Sequence, residues 1–212
     1  MDVVVAGGHG KVGIRLLRLL ADRGDRARGL IRNPDHAPEL HEVGAEPVLC
    51  DIEALDDISS CCEGADAVVF AAGAGPGSGP ERKRTVDYEG AVKLIEAATK
   101  NGIDRYVMVS AIRVDRPGEW PEPMRPYYEA KRDADAALVG SGLTYTIVRP
   151  GSLTDGVGTG LVKIGFGLEG GEIPRDDVAA TVFLALDATN TYGQAFDVVS
   201  GDDLVDDAVR KL

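Results

Sequence analysis

The segment VVVAGGHGKVGIRLL at residues 3–17 constrains the fold of this chain more than any other stretch. Its apolar start predicts a buried strand, and the pattern after Gly13 predicts an amphipathic helix. Gly7, Gly10 and Gly13 lie between the two at a spacing of three. A strand, a glycine loop and a helix in this order typically bind the pyrophosphate of a dinucleotide, because the free N–H groups of the first helical turn favour an anion. The alternative is a tight turn that only requires glycine.

Each glycine has its own predicted role in such a loop. Gly7 lets the chain turn, Gly10 lets the backbone approach the pyrophosphate, and Gly13 lets the helix pack closely on the strand. The N–H groups of Lys11 and Val12 would face the anion, and the Lys11 side chain either adds positive charge there or stays solvated. We therefore expect these five residues to bind the cofactor.

The rest of the chain alternates between strand and helix patterns. Uniformly apolar strands suit a parallel sheet that is covered on both faces. This predicts an α/β Rossmann-like fold, doubly wound, with a mainly parallel sheet of about seven strands and helices on both faces. Residues 1–212 are expected to form one such NAD(P)-binding domain, with a short substrate-side extension at about 150–212. The predicted strands are 3–6, 28–32, 46–50, 67–71, 106–110, 144–148 and 195–199, and the predicted helices are 11–22, 54–62, 82–100, 127–139 and 176–188, with 203–211 as a further candidate.

Composition narrows the expected partners. The formal charge of −12 argues against nucleic acid and membrane surfaces, because binding to phosphate needs a basic footprint. Neither a signal peptide nor an apolar run of ~20 residues is recognisable, so we expect a cytoplasmic protein that acts on a small molecule. Cys50, Cys61 and Cys62 have no metal-ligand or disulfide spacing, which predicts reduced thiols and no metal. No segment marks a dimerisation helix, so a monomer or a weak homo-oligomer is expected.

The end of the second predicted strand indicates which dinucleotide binds. An acidic residue ~20 positions after the glycines would hold the ribose hydroxyls of NAD. Arg32 stands there instead, 19 residues after Gly13. Its guanidinium can bind a 2′-phosphate, which favours NADP (NADPH), although a solvated surface arginine also fits the position. After the third strand, Asp51 and Ile52 would lie beside the adenine, where Asp51 either accepts from the amine or caps the next helix.

Two segments rich in glycine and proline interrupt the alternation, at 71–80 and 113–126. Both follow the carboxyl ends of predicted strands, where open sheets bind ligands. We expect them to be flaps over the cofactor, and the alternative is ordinary connections. Trp120 and Met124 in the second flap, with Tyr128 just after it, suggest a partly apolar, aromatic-tolerant substrate pocket, unless they only cover the sheet edge. Three residues that begin the first flap are candidate cofactor contacts: Ala71, Ala72 and Gly73.

The segment YYEAKRDADAAL contains the main candidates for chemistry. Tyr127 and Lys131 share one face of a predicted helix at a spacing of four, although this spacing also arises by chance. A phenol titrates near pH ~10, so proton transfer at neutral pH requires its pKa to fall by ~3 units, which Lys131 and an oxidised nicotinamide could together supply. Ser110, at the end of the fifth predicted strand, would bond a substrate oxygen.

With these motifs the chain resembles the atypical branch of the short-chain dehydrogenases/reductases, the NAD(P)-binding, NmrA-like and sugar-epimerase-like proteins. The resemblance covers nearly the whole chain and rests on GGHGKVG, LIRNP, CDIE, VDYEGAVKLIEAA, RYVMVSAIRVD, YYEAK and TIVRPGSLTD. It implies a Rossmann fold with NADP along the strand ends, Tyr127 as general acid/base and Lys131 on the nicotinamide ribose. It also implies that Pro150, Gly151 and Leu153 pack near the carboxamide.

Two departures from the family pattern affect the expected activity. Family enzymes place an Asn, which completes a proton relay, where this chain has Asp87, and an aspartate would alter or remove that relay. Only 62 residues follow Pro150, too few for the domain that binds a nucleotide sugar, so epimerase chemistry on sugar nucleotides is not expected.

Three functions remain open from the sequence. The leading one is an NADP-dependent oxidoreductase that transfers a hydride between the nicotinamide and a small carbonyl or quinone, with Tyr127 handling the proton. The second is a non-catalytic NADP(H)-binding redox sensor of the NmrA-like type. The third is a quinone or flavin reductase that needs no protein acid, so that Arg32 would be required and Tyr127 would not.

Overall fold

The structure, a computed structural model, describes residues 1–75 and 77–212. Apolar, β-branched runs form its central strands because both faces of these strands are covered. The strands are β1 (Asp2–Ala6), β2 (Arg26–Ile31), β3 (Glu46–Leu49), β4 (Ala67–Phe70), β5 (Arg105–Val109), β6 (Thr144–Pro150), β7 (Ser152–Thr154), β8 (Leu161–Gly165), β9 (Glu172–Pro174), β10 (Gln194–Ser200) and β11 (Asp203–Leu204). The helices are α1 (Gly13–Arg23), α2 (Ala37–Glu42), α3 (Pro80–Arg82), α4 (Gly90–Asn101), α5 (Arg125–Val139), α6 (Arg175–Ala185) and α7 (Val205–Arg210), and a π-helical segment, Lys83–Glu89, joins α3 to α4.

The central sheet has nine strands in the order β11-β8-β10-β6-β5-β4-β1-β2-β3. The strands from β10 to β3 run parallel, and they are the seven that the sequence predicts. β8 and β11 extend the sheet in antiparallel fashion beyond β10, and β7 pairs with β9 in a separate two-stranded sheet. The Rossmann-like fold is therefore confirmed, with two edge strands more than expected.

Alternate residues of the central strands enter opposite hydrophobic cores. In β1, Val3 and Val5 face one core, whereas Val4 and Ala6 face the other. The first core is covered by α1, α6 and α7, and the second by α4 and α5. Because both faces are buried, the carboxyl ends of the strands and the loops that follow them are the natural place for a ligand. Within the described ranges, no helix is long and apolar enough to cross a membrane.

The predicted helix 54–62 is wrong. The structure has only a short 3₁₀ turn there, Ser59–Cys62. Polar side chains compete with helical hydrogen bonding in this segment: Oδ1 of Asp57 accepts from the N–H of Ser59 at 2.8 Å. The candidate 203–211 is likewise shorter than expected, because Asp203–Leu204 forms β11 and only Val205–Arg210 is helical.

Candidate functional site

A cavity of about 1030 Å³ opens over the carboxyl ends of the parallel strands. It extends from the loops after β2 and β3, past the glycine loop after β1, to the start of α5. Most of the residues that the sequence predicts for the site line this one cavity. They are Gly7, Gly10, Lys11, Val12, Arg32, Asp51, Ile52, Ala71, Ala72, Gly73, Asp87, Ser110, Tyr127, Lys131 and Leu153.

The glycine loop is shaped by close backbone approaches. Gly7 has a φ of +84°, in the left-handed region, and a Cβ there would lie 2.7 Å from Cα of Ala72. A Cβ on Gly13 would lie 2.2 Å from the carbonyl oxygen of Gly7, so Gly13 allows α1 to begin directly against the loop. Gly13 itself does not line the cavity, whereas Lys11 and Val12 line it just before the first turn of α1. This cradle suits a pyrophosphate.

An ion-pair network lies at the end of β2. One guanidinium N–H of Arg32 donates to Oε2 of Glu53 at 3.1 Å, and Arg82 donates to the same oxygen at 2.6 Å. The hydroxyl of Thr85 donates to Oε1 of Glu53 at 2.9 Å. The hydrogen bonds from Arg82 are the main reason why the pKa of Glu53 is lowered. Glu53 therefore holds Arg32 beside the cavity and ties it to the helix that follows the first flap.

The residues after β3 have local structural contacts as well as a place in the cavity wall. Oδ1 of Asp51 accepts from the N–H groups of Glu53 at 2.9 Å and Ala54 at 3.3 Å. Asp51 thus caps a turn, although no α-helix follows it. Ile52 packs toward Gly90 of α4, where an added Cβ would lie 3.0 Å from its Cδ1.

Several residues in the cavity wall or just behind it are not predicted by the sequence. His9 of the glycine loop stacks on His36 with ring centroids 3.6 Å apart, and its Nε2 lies 3.0 Å from Glu39. Across the glycine loop, Asp155 pairs with Lys11 at 2.7 Å and with Arg175 at 2.8 Å. A histidine inside a glycine motif is unusual, and this is the signal that could have pointed to His9. The contacts of His9 and Asp155 could not be predicted, because their partners are far apart in the sequence.

Asp87 and Lys131 form a buried ion pair at the other end of the cavity. Oδ1 of Asp87 lies 3.4 Å from Nζ of Lys131, and both side chains are at most 5% exposed. Lys131 also donates to the carbonyl oxygen of Val109 at 3.1 Å. The second oxygen of Asp87 accepts from the N–H of Ala74 at 3.1 Å. The π-helical segment, the first flap and α5 therefore meet at this pair.

Tyr127 is half-buried at the start of α5 and lines the same cavity. Its ring contacts the ring of Tyr128 edge-on, at a centroid separation of 5.4 Å, and Nζ of Lys83 lies 5.5 Å from its ring centroid. Burial, followed by the negative charge of Asp87, holds the pKa of Tyr127 well above its usual range. The lowered pKa that we expect from the sequence, through Lys131 and an oxidised nicotinamide, stays a prediction for the complex with the cofactor; in the protein alone, burial and then Asp87 act in the opposite direction.

The Ser110 hydroxyl is one of three buried polar side-chain atoms that lack a hydrogen-bond partner among the described residues. Ser110 is 3% exposed, yet it lines the cavity next to Lys131. A second such atom, Oδ1 of Asp135, lies one helical turn beyond Lys131; burial raises the pKa of its carboxyl, and the neighbouring Ser110 hydroxyl acts in the opposite direction. An unsatisfied hydroxyl in a cavity wall is able to bond a ligand oxygen.

Of the remaining predicted residues, some line the cavity and others do not. Leu153 lines the cavity, but Pro150 and Gly151 do not, and a Cβ on Gly151 would lie 2.3 Å from the carbonyl oxygen of Gly171. In the first predicted flap, 71–80, residue 76 lies outside the described residues, and most of the others line the cavity.

The second predicted flap, 113–126, contains two short 3₁₀ turns before α5. Met124 lines the cavity. Trp120 and Tyr128 do not; their rings stack on each other at 5.6 Å, and the N–H of Trp120 donates to the carbonyl oxygen of Arg113 at 2.9 Å. The tryptophan therefore holds this segment onto α5.

A parallel sheet whose first strand ends in a glycine cradle, beneath a cavity that spans the strand ends, defines a dinucleotide-binding protein of the Rossmann type. The comparison with family models agrees with this geometry. The chain belongs to the NAD(P)H-binding family, whose model matches residues 7–189.

Relatives of known sequence and structure cover the whole chain. It is 43% identical to YhfK of Bacillus subtilis strain 168, which bears the name uncharacterized sugar epimerase, over 100% of both chains. A Bacillus halodurans structure, provisionally named an NAD-dependent epimerase/dehydratase, is 40% identical over 100% of both chains, with a TM-score of 0.95. ChuY, an anaerobilin reductase from Escherichia coli O157:H7, is 26% identical, with a TM-score of 0.80 over 96% of this chain and 98% of its own. The fold is thus one that reductases use.

Proposed function

We propose that this protein is an NADP-dependent oxidoreductase that reduces a small carbonyl or quinone substrate. The observation that carries the proposal is that Tyr127, Lys131 and Ser110 line the same cavity as the glycine loop. A cofactor that begins at the glycine loop and runs along the strand ends would reach these three side chains. The similarity to an anaerobilin reductase supports the reductive direction.

Each side chain at the α5 end of the cavity has its own role in such a reduction. Bound NADPH supplies the hydride for the substrate carbon. Tyr127 donates its phenolic proton to the substrate oxygen, and Ser110 donates a hydrogen bond to the same oxygen. Lys131 holds the nicotinamide ribose, and Asp87 positions Lys131. The products are an alcohol, or a hydroquinone, and NADP⁺, after which Tyr127 regains a proton from water.

The raised pKa of Tyr127 favours reduction over alcohol oxidation. A proton donor acts in its protonated form, and burial together with Asp87 keeps the phenol protonated. An oxidation would require the phenolate, which the same surroundings disfavour. Burial and Asp87 therefore keep Tyr127 in the protonated form that a proton donor needs, although the higher pKa makes the phenol a weaker acid.

The preference for NADP rests on Arg32. Its guanidinium is 58% exposed at the cavity edge, where it can turn from Glu53 to a 2′-phosphate. Arg82 remains paired with Glu53 when Arg32 turns away, so that carboxylate keeps a partner. The stacked imidazoles of His9 and His36 line the cavity beside Arg32.

A non-catalytic NADP(H) sensor is the second candidate, and one observation favours it. Asp87 stands where family enzymes have the relay Asn, and its carboxylate is committed to Lys131 and to the N–H of Ala74. A cavity of this kind could bind the dinucleotide without completing a proton relay. Such a protein would respond to the redox state of the cofactor through a partner.

The test is NADPH consumption by the purified protein with a panel of quinones, aldehydes and ketones. Wild type, Tyr127→Phe and the matched control Tyr128→Phe are compared, because Tyr128 stacks on Trp120 and does not line the cavity. We expect turnover in wild type and the control and a loss of at least about a hundredfold in Tyr127→Phe. Turnover that survives in Tyr127→Phe would contradict the acid role. Tight NADPH binding without turnover across the panel would favour the sensor.

A further inference from the structure

Six lysine and arginine side chains line the cavity, and one of them differs from the others in its lack of an acidic partner among the described residues. Five form ion pairs with carboxylates: Lys11 and Arg175 with Asp155, Arg32 and Arg82 with Glu53, and Lys131 with Asp87. Lys83 has no carboxylate within 4.0 Å among the described residues. In a chain with a formal charge of −12, a cavity cation without an acidic partner is an unused site for an anion.

Lys83 lies beside the proposed proton donor. Its Nζ is 5.5 Å from the ring centroid of Tyr127, and it donates a hydrogen bond to the carbonyl oxygen of Gly75 at 2.7 Å. Both contacts hold the ammonium at the cavity wall between the first flap and α5. An ammonium has three N–H donors, so the bond to Gly75 leaves others for a ligand.

Apolar side chains also line the wall near Tyr127. Pro123, Met124 and Pro126 line it from the segment before α5 and from its first turn, and Leu153 lines it from β7. A ligand in this part of the cavity would therefore present an apolar body to these residues and an anionic group to Lys83.

We propose that the substrate of this reductase carries a carboxylate, which Lys83 binds while the reducible carbonyl lies against Tyr127. This inference rests on the proposed function and names the substrate class of the same site. Lys83 is a specificity-determining residue, because it contacts the substrate at a distance from the reacting atoms. Its hydrogen bond to Gly75 also joins substrate binding to the position of the first flap.

The test measures binding to the NADP⁺-saturated protein, in which reduction cannot take place. The probes are 4-acetylbenzoate and its neutral methyl ester, which differ in charge but keep the aryl ketone. We expect calorimetry to give a Kd for 4-acetylbenzoate about tenfold lower than for the ester in wild type. In Lys83→Met the two Kd values should become equal, and Lys83→Arg should restore most of the difference.

Lys163→Met is the matched control, since Lys163 is an exposed residue of β8 outside the cavity and its removal changes the net charge equally. It should keep the tenfold preference, and the Kd for NADP⁺ should be the same in all variants. Equal binding of both probes by wild type, or an unchanged preference in Lys83→Met, would overturn the proposal. Failure of both probes to bind would overturn it too.

NADPH oxidation with the same two ketones separates this inference from the proposed function. Reduction of both ketones with no preference would support the reductase function and contradict the role of Lys83 in substrate binding. The opposite result is tight binding of 4-acetylbenzoate that depends on Lys83, while neither ketone nor any compound of the wider panel supports NADPH oxidation. It would support the anion site at Lys83 and contradict the reductase function.

Discussion

Asp87 and Lys131 lie 44 residues apart in the sequence, and their charged groups meet in the interior at 3.4 Å. Each also bonds the backbone of another element: Asp87 accepts from the N–H of Ala74, and Lys131 donates to the carbonyl oxygen of Val109. One ion pair thus links the π-helical segment, the first flap, β5 and α5 at the end of the cavity where we place the chemistry.

Removing the charge of Asp87 should destabilise the fold. Asp87→Asn leaves the Lys131 ammonium buried without its counter-charge, so we expect the free energy of unfolding to fall by roughly 3 kcal/mol. Urea denaturation followed by circular dichroism measures the change. Asp57→Asn is the control, because Asp57 pairs with Lys100 at the surface and its removal should leave the midpoint unchanged. Equal midpoints for both variants would contradict a structural role for the buried pair.

The same substitution should move the pH profile of reduction. Burial and Asp87 hold the pKa of Tyr127 well above its usual range, so the donor stays protonated and kcat should not fall between about pH 6 and about pH 9. Asp87→Asn removes the nearby negative charge, which lowers the pKa of Tyr127 and brings the alkaline decline to lower pH. Profiles of kcat for both proteins test this. A wild-type decline near neutral pH would show that another group donates the proton.

Arg32 should decide between the two dinucleotides. Arg32→Ala removes the guanidinium that we assign to the 2′-phosphate, so the Kd for NADPH should rise by about tenfold to about a hundredfold while the Kd for NADH stays the same. Fluorescence titration measures both constants. Arg26→Ala is the control, because Arg26 is an exposed residue at the opposite end of β2 and pairs with Glu46. Equal losses for both dinucleotides in Arg32→Ala would assign Arg32 to a different part of the cofactor.

Gly13 should not tolerate a methyl group. A Cβ there would lie 2.2 Å from the carbonyl oxygen of Gly7, so α1 has to shift away from the loop in Gly13→Ala. We expect a loss of roughly 2 kcal/mol in stability together with weaker dinucleotide binding. Gly118→Ala is the control, since apart from its chain neighbours no atom of the described residues lies within 4 Å of the added Cβ. Thermal unfolding and NADPH titration measure the two effects, and wild-type values for Gly13→Ala would refute the close approach.

The three thiols should be unreactive in the folded protein. Burial raises the pKa of Cys62 to about 12, and burial is also the main cause of the raised pKa of Cys50. Because the thiolate is the nucleophile, iodoacetamide at about pH 8 should alkylate none of the three cysteines in native buffer and all of them in urea. Mass spectrometry counts the modified sites. Rapid alkylation without urea would mean that the second core opens readily.

The order of elements and the glycine cradle were predictable because both depend on local sequence. A strand buried on both faces needs a continuous apolar run, which is why the seven parallel strands were recognised. β8 and β11 were not, because an edge strand such as LVKIG is partly exposed and lacks that signal. The helix predicted at 54–62 failed because the Asp57 side chain competes with the helical pattern.

The sequence by itself therefore determined the Rossmann-like sheet, the cradle after β1 and many of the side chains that line the cavity. Only the tertiary structure decided how those side chains are charged and paired. Glu53 meets Arg32 and Arg82, Asp155 meets Lys11, and burial and then Asp87 raise the pKa of Tyr127, while Lys83 has no carboxylate within 4.0 Å in residues 1–75 and 77–212. The physical reason is that backbone geometry depends mainly on residues that are neighbours in the sequence. Electrostatic interactions and burial depend instead on distances in space between residues far apart in the chain.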